Sequence, residues 1–161
     1  MNFVFTEVLL KNTEDIISKF KHRYPCRART FHVDRQNVVH SVWYFFLVEE
    51  ARVEYIRDVG MVIDEQTFIS HDKFFIVKNS CEYFASVLYD EEITILSRIS
   101  YVKKSSLCFE HLVLKHDGSI AARSEHVFVS VDEETNLPRR VPDDLRELIA
   151  RYEGENVAYV E

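Results

Sequence analysis

The chain has 161 residues, 47% hydrophobic and 29% charged, with 20 Lys and Arg against 27 Asp and Glu for a net charge of −7. That length suits one domain, and 12 Phe and 8 Tyr supply ample apolar surface to bury, which argues against disorder. The acidic balance and the lack of a long Lys/Arg run make nucleic acid an unexpected partner, and the three glycines, Gly60, Gly118 and Gly154, are too scattered for a dinucleotide fingerprint, a phosphate loop or a Gly-x-Ser-x-Gly elbow.

Residues 1–22 read as an N-terminal extension to a core of about 23–150, all within one domain spanning 1–161. The extension carries Glu7, Glu14 and Asp15 with no basic stretch ahead of its apolar residues, unlike a signal peptide. Thr13 caps a short helix whose first turn is acidic. A first strand is expected over Arg23 to Val33, with Pro25 near its start.

Residues 42–59 form the clearest element. Val42 to Val48 is apolar all round, which predicts a helix wrapped by the rest of the protein. Tyr44, Val48, Ala51, Tyr55 and Val59 then share one face at helical spacing, and Gly60 follows where a left-handed C-cap belongs.

From about residue 69 to 131 the chain reads as strands: Phe74–Phe84, Ile93–Val102, Leu107–Lys115 and Ile120–Val131. His116-Asp-Gly-Ser is a tight turn, with Asp117 and Gly118 suited to positive φ. A short helix starts at Val141, with Pro142 in its first turn. The order predicts an α+β fold, a sheet of five or slightly more antiparallel strands around one long buried helix. One helix covers one face, so the other is solvated or covered by a second subunit. Nowhere does an apolar run approach the ~20 residues of a membrane span. Cys26, Cys81 and Cys108 are widely spaced and fit free thiols in a reducing cytoplasm.

The segment Phe31-His-Val-Asp-Arg-Gln-Asn-Val-Val-His-Ser-Val-Trp-Tyr through Glu49-Glu-Ala-Arg resembles hotdog-fold acyl-CoA thioesterases of the 4-hydroxybenzoyl-CoA thioesterase type and their Tol-Pal-associated relatives. Asp34, Val38, Val39, Tyr44, Glu49, Ala51 and Arg52 match that pattern without a gap. Cys81 to Ile93, Val102 to Glu110 and Val131 to Pro142 resemble the family's later strands, so the resemblance spans roughly 24–149. It implies a thioester hydrolase that cleaves acyl-CoA to a free acid and coenzyme A, acting as a cytoplasmic homodimer or homotetramer. Coenzyme A enters as part of the substrate, and no separate cofactor is implied.

The chemistry has its own logic. Thioester hydrolysis needs a carboxylate nucleophile or base and donors for the developing oxyanion. Asp34 lies in the loop before the long helix, and the unpaired N–H groups at the helix start point back towards it. The resemblance makes Asp34 the catalytic carboxylate and the helix amides the oxyanion donors; the alternative is that Asp34 only satisfies loop amides. His40 is a second candidate, to orient the thioester or donate a proton. Asn37 stands where the family has glycine and tolerates a left-handed backbone. Ser41 is most simply the helix N-cap, with substrate contact as the sharper reading. Trp43 and Tyr44 are candidates to shape the acyl pocket. Ser106 sits where the family places coenzyme contacts, and the pairs Lys103-Lys104 and Arg139-Arg140 make Lys104 and Arg139 candidates for the nucleotide phosphates. Glu49 is expected to pair with Arg52. The other histidines lack metal-ligand spacing, so no metal is expected.

Two rivals remain. The acyl group rides on acyl carrier protein instead of coenzyme A, or the substitutions Asn37, Ser41 and Trp43 leave a non-catalytic binder of acyl thioesters.

Overall fold

Alternation of apolar and polar residues builds most of the molecule. The structure, a computed structural model, describes residues 13–65 and 73–160. In chain order these form α1 (Thr13–Ile17), β1 (His22–Arg27), α2 (Ser41–Val59), β2 (Lys73–Tyr83), β3 (Glu92–Val102), β4 (Ser106–Lys115), β5 (Ile120–Val131), α3 (Asp143–Glu153) and β6 (Ala158–Tyr159). Residues 1–12 of the expected extension, and the expected strand residues 69–72, lie outside the described residues.

The strands make one six-stranded sheet in the order β1-β3-β4-β5-β2. All neighbours on that path are antiparallel. β1 covers β3 only from Glu92 to Ser97; β6 takes up the same strand in parallel at Tyr101 and Val102. β2 is an edge strand among the described residues, and Phe75, Ile76 and Val77 on it are exposed.

The long helix α2, about 28 Å at 1.5 Å per residue, lies across the inner face. Tyr44, Val48, Ala51, Tyr55 and Val59 are all buried, as their spacing predicts. Under the first half of α2, Tyr44 and Val48 pack with Ile95, Val113 and Ala122; under the second, Tyr55 and Val59 pack with Ile99, Phe109, Phe128 and Ile149 of α3. Gly60 ends the helix at φ 107°, its N–H donating to the Arg57 carbonyl at 2.9 Å. Phe20 and the half-buried Ile16 and Ile17 of α1 cover Leu96, Leu112 and Leu114 on the outer face. The rest of that face carries a ladder of ion pairs. Lys78 meets Glu125 at 2.8 Å, Arg123 reaches both Glu125 and Glu110 at 3.5 Å, and Arg98 holds Glu110 at 2.7 Å. A second subunit is therefore not needed to cover it.

Several expectations are corrected. The first strand stops at Arg27, because the chain turns away into a 3-10 turn at Thr30–His32. The start of α2 is not wrapped: Val42 is 45% and Phe46 57% exposed, since no other element among the described residues reaches that side. Only Gly118 of the 116–119 turn has positive φ; Asp117 instead accepts from the Ser119 N–H and hydroxyl. Pro142 is the N-cap of α3 and lies ahead of its first turn.

Candidate functional site

The loop between β1 and α2 folds on itself. The Asp34 N–H donates to the Val38 carbonyl and the Asn37 N–H to the Asp34 carbonyl, both at 3.0 Å, and Val33 bridges Val39. This is a three-residue hairpin whose last loop residue needs a left-handed backbone, and Asn37 supplies it at φ 63°. The turn expected at that residue is present without glycine. Asp34 Oδ1 accepts from the Gln36 N–H at 2.7 Å, so part of the carboxylate does satisfy a loop amide. Oδ2 has no hydrogen-bond partner among the described residues.

The loop is pinned beside the helix start. The Val39 N–H donates to the Val87 carbonyl at 2.8 Å, and the His40 N–H to the His32 carbonyl at 2.9 Å. His40, not Ser41, is the N-cap: its Nδ1 accepts from the Val42 N–H at 3.3 Å. An imidazole nitrogen two bonds beyond Cβ reaches the same amide a serine hydroxyl would, so Ser41 moves into the first helical position. The Ser41 N–H has no partner among the described residues, and its carbonyl accepts from the Tyr83 hydroxyl at 3.1 Å. Burial pushes both the Tyr44 and the Tyr83 phenols up to about 12, so at neutral pH each is a donor and not a base. An open cavity of about 300 Å³ lies at this point, lined by Val38, Ser41, Tyr44, Tyr83 and Phe84 among others. Tyr44, 3% exposed, closes its floor.

Trp43 does not line this cavity. It stands in a cluster with Phe31, His32 and Phe46, ring centroids 5.0–5.4 Å away, beside the loop. Glu49 pairs with Arg52 as expected. The Arg52 guanidinium lies over the Phe128 ring at 4.5 Å.

The remaining candidates are elsewhere. Lys104, Ser106 and Arg139 gather at the β3–β4 turn. The Val141 N–H donates to the Lys104 carbonyl at 2.8 Å, the Ser130 N–H to that of Ser105 at 2.8 Å, and the Arg139 N–H to that of Ser130 at 2.9 Å. β3 has 11 residues, so this group stands roughly 30 Å from the Asp34 loop, at the opposite end of the sheet. Within one chain the candidate residues are not one site. They form two groups, one at each end of the edge strand β2.

A buried polar row that the sequence analysis does not single out lies beneath α2. Ser97, His111 and Ser124 lie directly opposite one another on β3, β4 and β5, and Ser97 Oγ meets His111 Nδ1 at 2.9 Å. His126, one row on, puts its ring 5.2 Å from that of His111. Burial, with the neighbouring Arg52 charge, drives His126 down to about 4 and His111 well below its ordinary value. Both are neutral at pH 7. Their alternation along the strands signals an inward face, but which of them meet depends on register. Among the described residues no three His, Cys, Asp or Glu side chains converge as a metal site requires.

The model of the thioesterase-like superfamily matches residues 28–149. A curated relative, the acyl-CoA thioester hydrolase YbgC of Escherichia coli, is 26% identical over 124 residues, covering 76% of this chain and 91% of the relative. A thioesterase of Thermus thermophilus, solved with coenzyme A and Zn, superposes with a TM-score of 0.71 at 26% identity, over 85% of this chain and 98% of that one. A 1,4-dihydroxy-2-naphthoyl-CoA thioesterase of Synechocystis shares the fold, with a TM-score of 0.73 at 13% identity over 80% and 95% of the two chains.

Proposed function

The chain belongs to the thioesterase-like superfamily, and on that premise we propose that it hydrolyses acyl-coenzyme A thioesters with Asp34 as the catalytic carboxylate. The observation that carries this is the Asp34 side chain, held by the Gln36 amide through one oxygen with the other unengaged among the described residues, beside the open first turn of α2. The thioester carbonyl sits at the helix start. The Ser41 N–H and the positive end of the helix stabilise the oxyanion. Either Asp34 Oδ2 takes a proton from a water that attacks the carbonyl carbon, or it attacks that carbon itself and water then cleaves the resulting anhydride; in both the C–S bond breaks and the coenzyme A thiolate leaves. His40 caps the helix that supplies the donors and so positions them.

The working unit in this reading is a dimer. The exposed, apolar edge of β2 leaves a row of backbone groups ready to pair with a second copy. Antiparallel pairing about the middle of β2 sets the Lys73 end of one copy beside the Tyr83 end of the other. Lys104, Ser106 and Arg139 of one copy then face the Asp34 loop of its partner, where cations are wanted for the nucleotide phosphates. The bare side of α2, with Val42 and Phe46, is covered in the same step.

The test is thiol release from a panel of acyl-CoAs by the wild type and Asp34→Asn. The variant keeps an acceptor for the Gln36 amide and loses the charge. A fall of about 10²–10⁴ in kcat with an unchanged melting temperature is expected; equal turnover in both proteins rejects Asp34.

A further inference from the structure

Resting on the two-copy thioesterase just described, we infer that its acyl group is a long unbranched aliphatic chain, and that this chain lies in a cavity of the copy opposite the one supplying Asp34. The cavity, about 740 Å³, opens where the second half of α2 meets α3 and the start of β2. Tyr55 and Val59 of α2, Phe74 of β2, Phe109 of β4 and Leu145 and Leu148 of α3 form much of its wall. The charged groups in its wall are paired with neighbours, and Arg52 Nη1, which has no hydrogen-bond partner among the described residues, is buried away from solvent. Arg52 is paired to Glu49 and stacked on Phe128, Lys73 is held by Glu133 at 2.9 Å, and Asp144 accepts from the Leu145 N–H at 2.8 Å. What they leave is a lumen suited to hydrocarbon. If a methylene is taken as about the size of a water, roughly 30 Å³ in the liquid, the cavity admits a dozen carbons or more.

The helix-start cavity has no such depth. It is about 300 Å³ and open, Tyr44 fills its floor, and Tyr83 is tied to the Ser41 carbonyl. A chain attached to a carbonyl there has no way inward and runs out past Tyr83 and Phe84, towards the end of β2. The deep cavity of the same copy is out of reach, since Arg52 at its near side is about 16 Å along α2 from Ser41. The two-fold pairing of β2 removes the difficulty. Phe74, in the cavity wall, sits at the end of β2 that meets the partner's Tyr83 end, so the exit of one half-site faces the entrance of the other. The acyl length is thereby set by α3 and the second half of α2, and not by the catalytic loop.

Three measurements on the full chain test this. kcat/KM is expected to rise at least a hundredfold from butyryl- to dodecanoyl-CoA, and Leu145→Trp, which fills the cavity, to cut that preference at least tenfold, while Leu145→Ala keeps it. Mixing Asp34→Asn with Leu145→Trp tests the crossing between copies. One site of each mixed dimer then has both groups intact, so about a quarter of the wild-type rate on dodecanoyl-CoA returns after subunit exchange, half the dimers carrying one good site of two. No recovery on mixing overturns the crossing. Best turnover with butyryl- or benzoyl-CoA, or a preference indifferent to Leu145→Trp, overturns the acyl assignment and leaves thioester hydrolysis standing. If no acyl-CoA is cleaved, the catalytic reading fails, and displacement of a fluorescent polyene fatty acid by dodecanoate decides the cavity. Displacement in the wild type and its loss in Leu145→Trp uphold an aliphatic site; no binding to the wild type rejects it.

Discussion

The Asn37 N–H donates to the Asp34 carbonyl at 3.0 Å while Asn37 itself holds a φ of 63°. The catalytic candidate is thus aimed by a turn that depends on one left-handed residue. Asn37→Gly is expected to leave stability within a few tenths of a kcal/mol and turnover intact. Asn37→Val puts a β-branched side chain in that region and costs about 1–2 kcal/mol, with a larger loss of turnover as Asp34 swings away. Urea unfolding and kcat on the same preparations check both.

The β2 edge carries a second prediction. Val77→Lys places a charge amid Phe75, Ile76 and the exposed backbone of the edge, a known way of keeping edges apart. Sedimentation should shift from dimer to monomer. Activity should fall with it if, as proposed, each site draws on both ends of β2.

The buried histidines give the third. His126 is held down at about 4, and His111 well below the ordinary 6.5, by burial and by the Arg52 charge; Phe45 of α2 and Phe109 of β4 also pack against them. A folded-state pKa lowered in this way means the unfolded chain takes up protons first. Stability is full above about pH 6.5 and is lost as pH falls towards 4. A drop of a few kcal/mol between pH 7 and 4.5 is expected, and the slope should flatten in a His111→Gln, His126→Gln double variant followed by denaturant titration at each pH.

Glu153 supplies the fourth. It accepts from the Tyr55 hydroxyl at 2.6 Å and from the Ile99 N–H at 3.0 Å, next to the bulge between Ile99 and Tyr101. Removing the carboxylate strands two buried donors. Glu153→Ala should cost about 2–4 kcal/mol, and Glu153→Gln, which keeps an acceptor, about 1 kcal/mol or less.

The elements were legible because each obeys a local rule. The 3.6-residue spacing of Tyr44, Val48, Ala51, Tyr55 and Val59 marks the buried stripe of α2, Gly60 marks its end, and two-residue alternation marks β3 to β5. Asn37 was legible as a turn residue for the same reason. The N-cap was not: both His40 and Ser41 carry an acceptor at the right reach, and only the backbone decides between them. The separation of the candidate residues was not legible either. Asp34 and Lys104 belong to opposite ends of the sheet because of the strand order β1-β3-β4-β5-β2, a property of pairing over long separations that no local pattern records. The encounter of Ser97, His111 and Ser124 is hidden in the same way, since a one-residue slip would turn any of them outward.

The charged ladder on the outer face, Lys78, Glu125, Arg123, Glu110 and Arg98, alternates in sign and sums to a single positive charge. Seen from beyond a Debye length, about 8 Å at physiological salt, it is nearly featureless. Seen close up, any surface pressed against it must strip water from five side chains that already hold one another. That wall neither steers an acidic partner nor rewards stacking of sheet on sheet, so crowding leaves copies of the chain apart on this side, whatever pairs at the β2 edge.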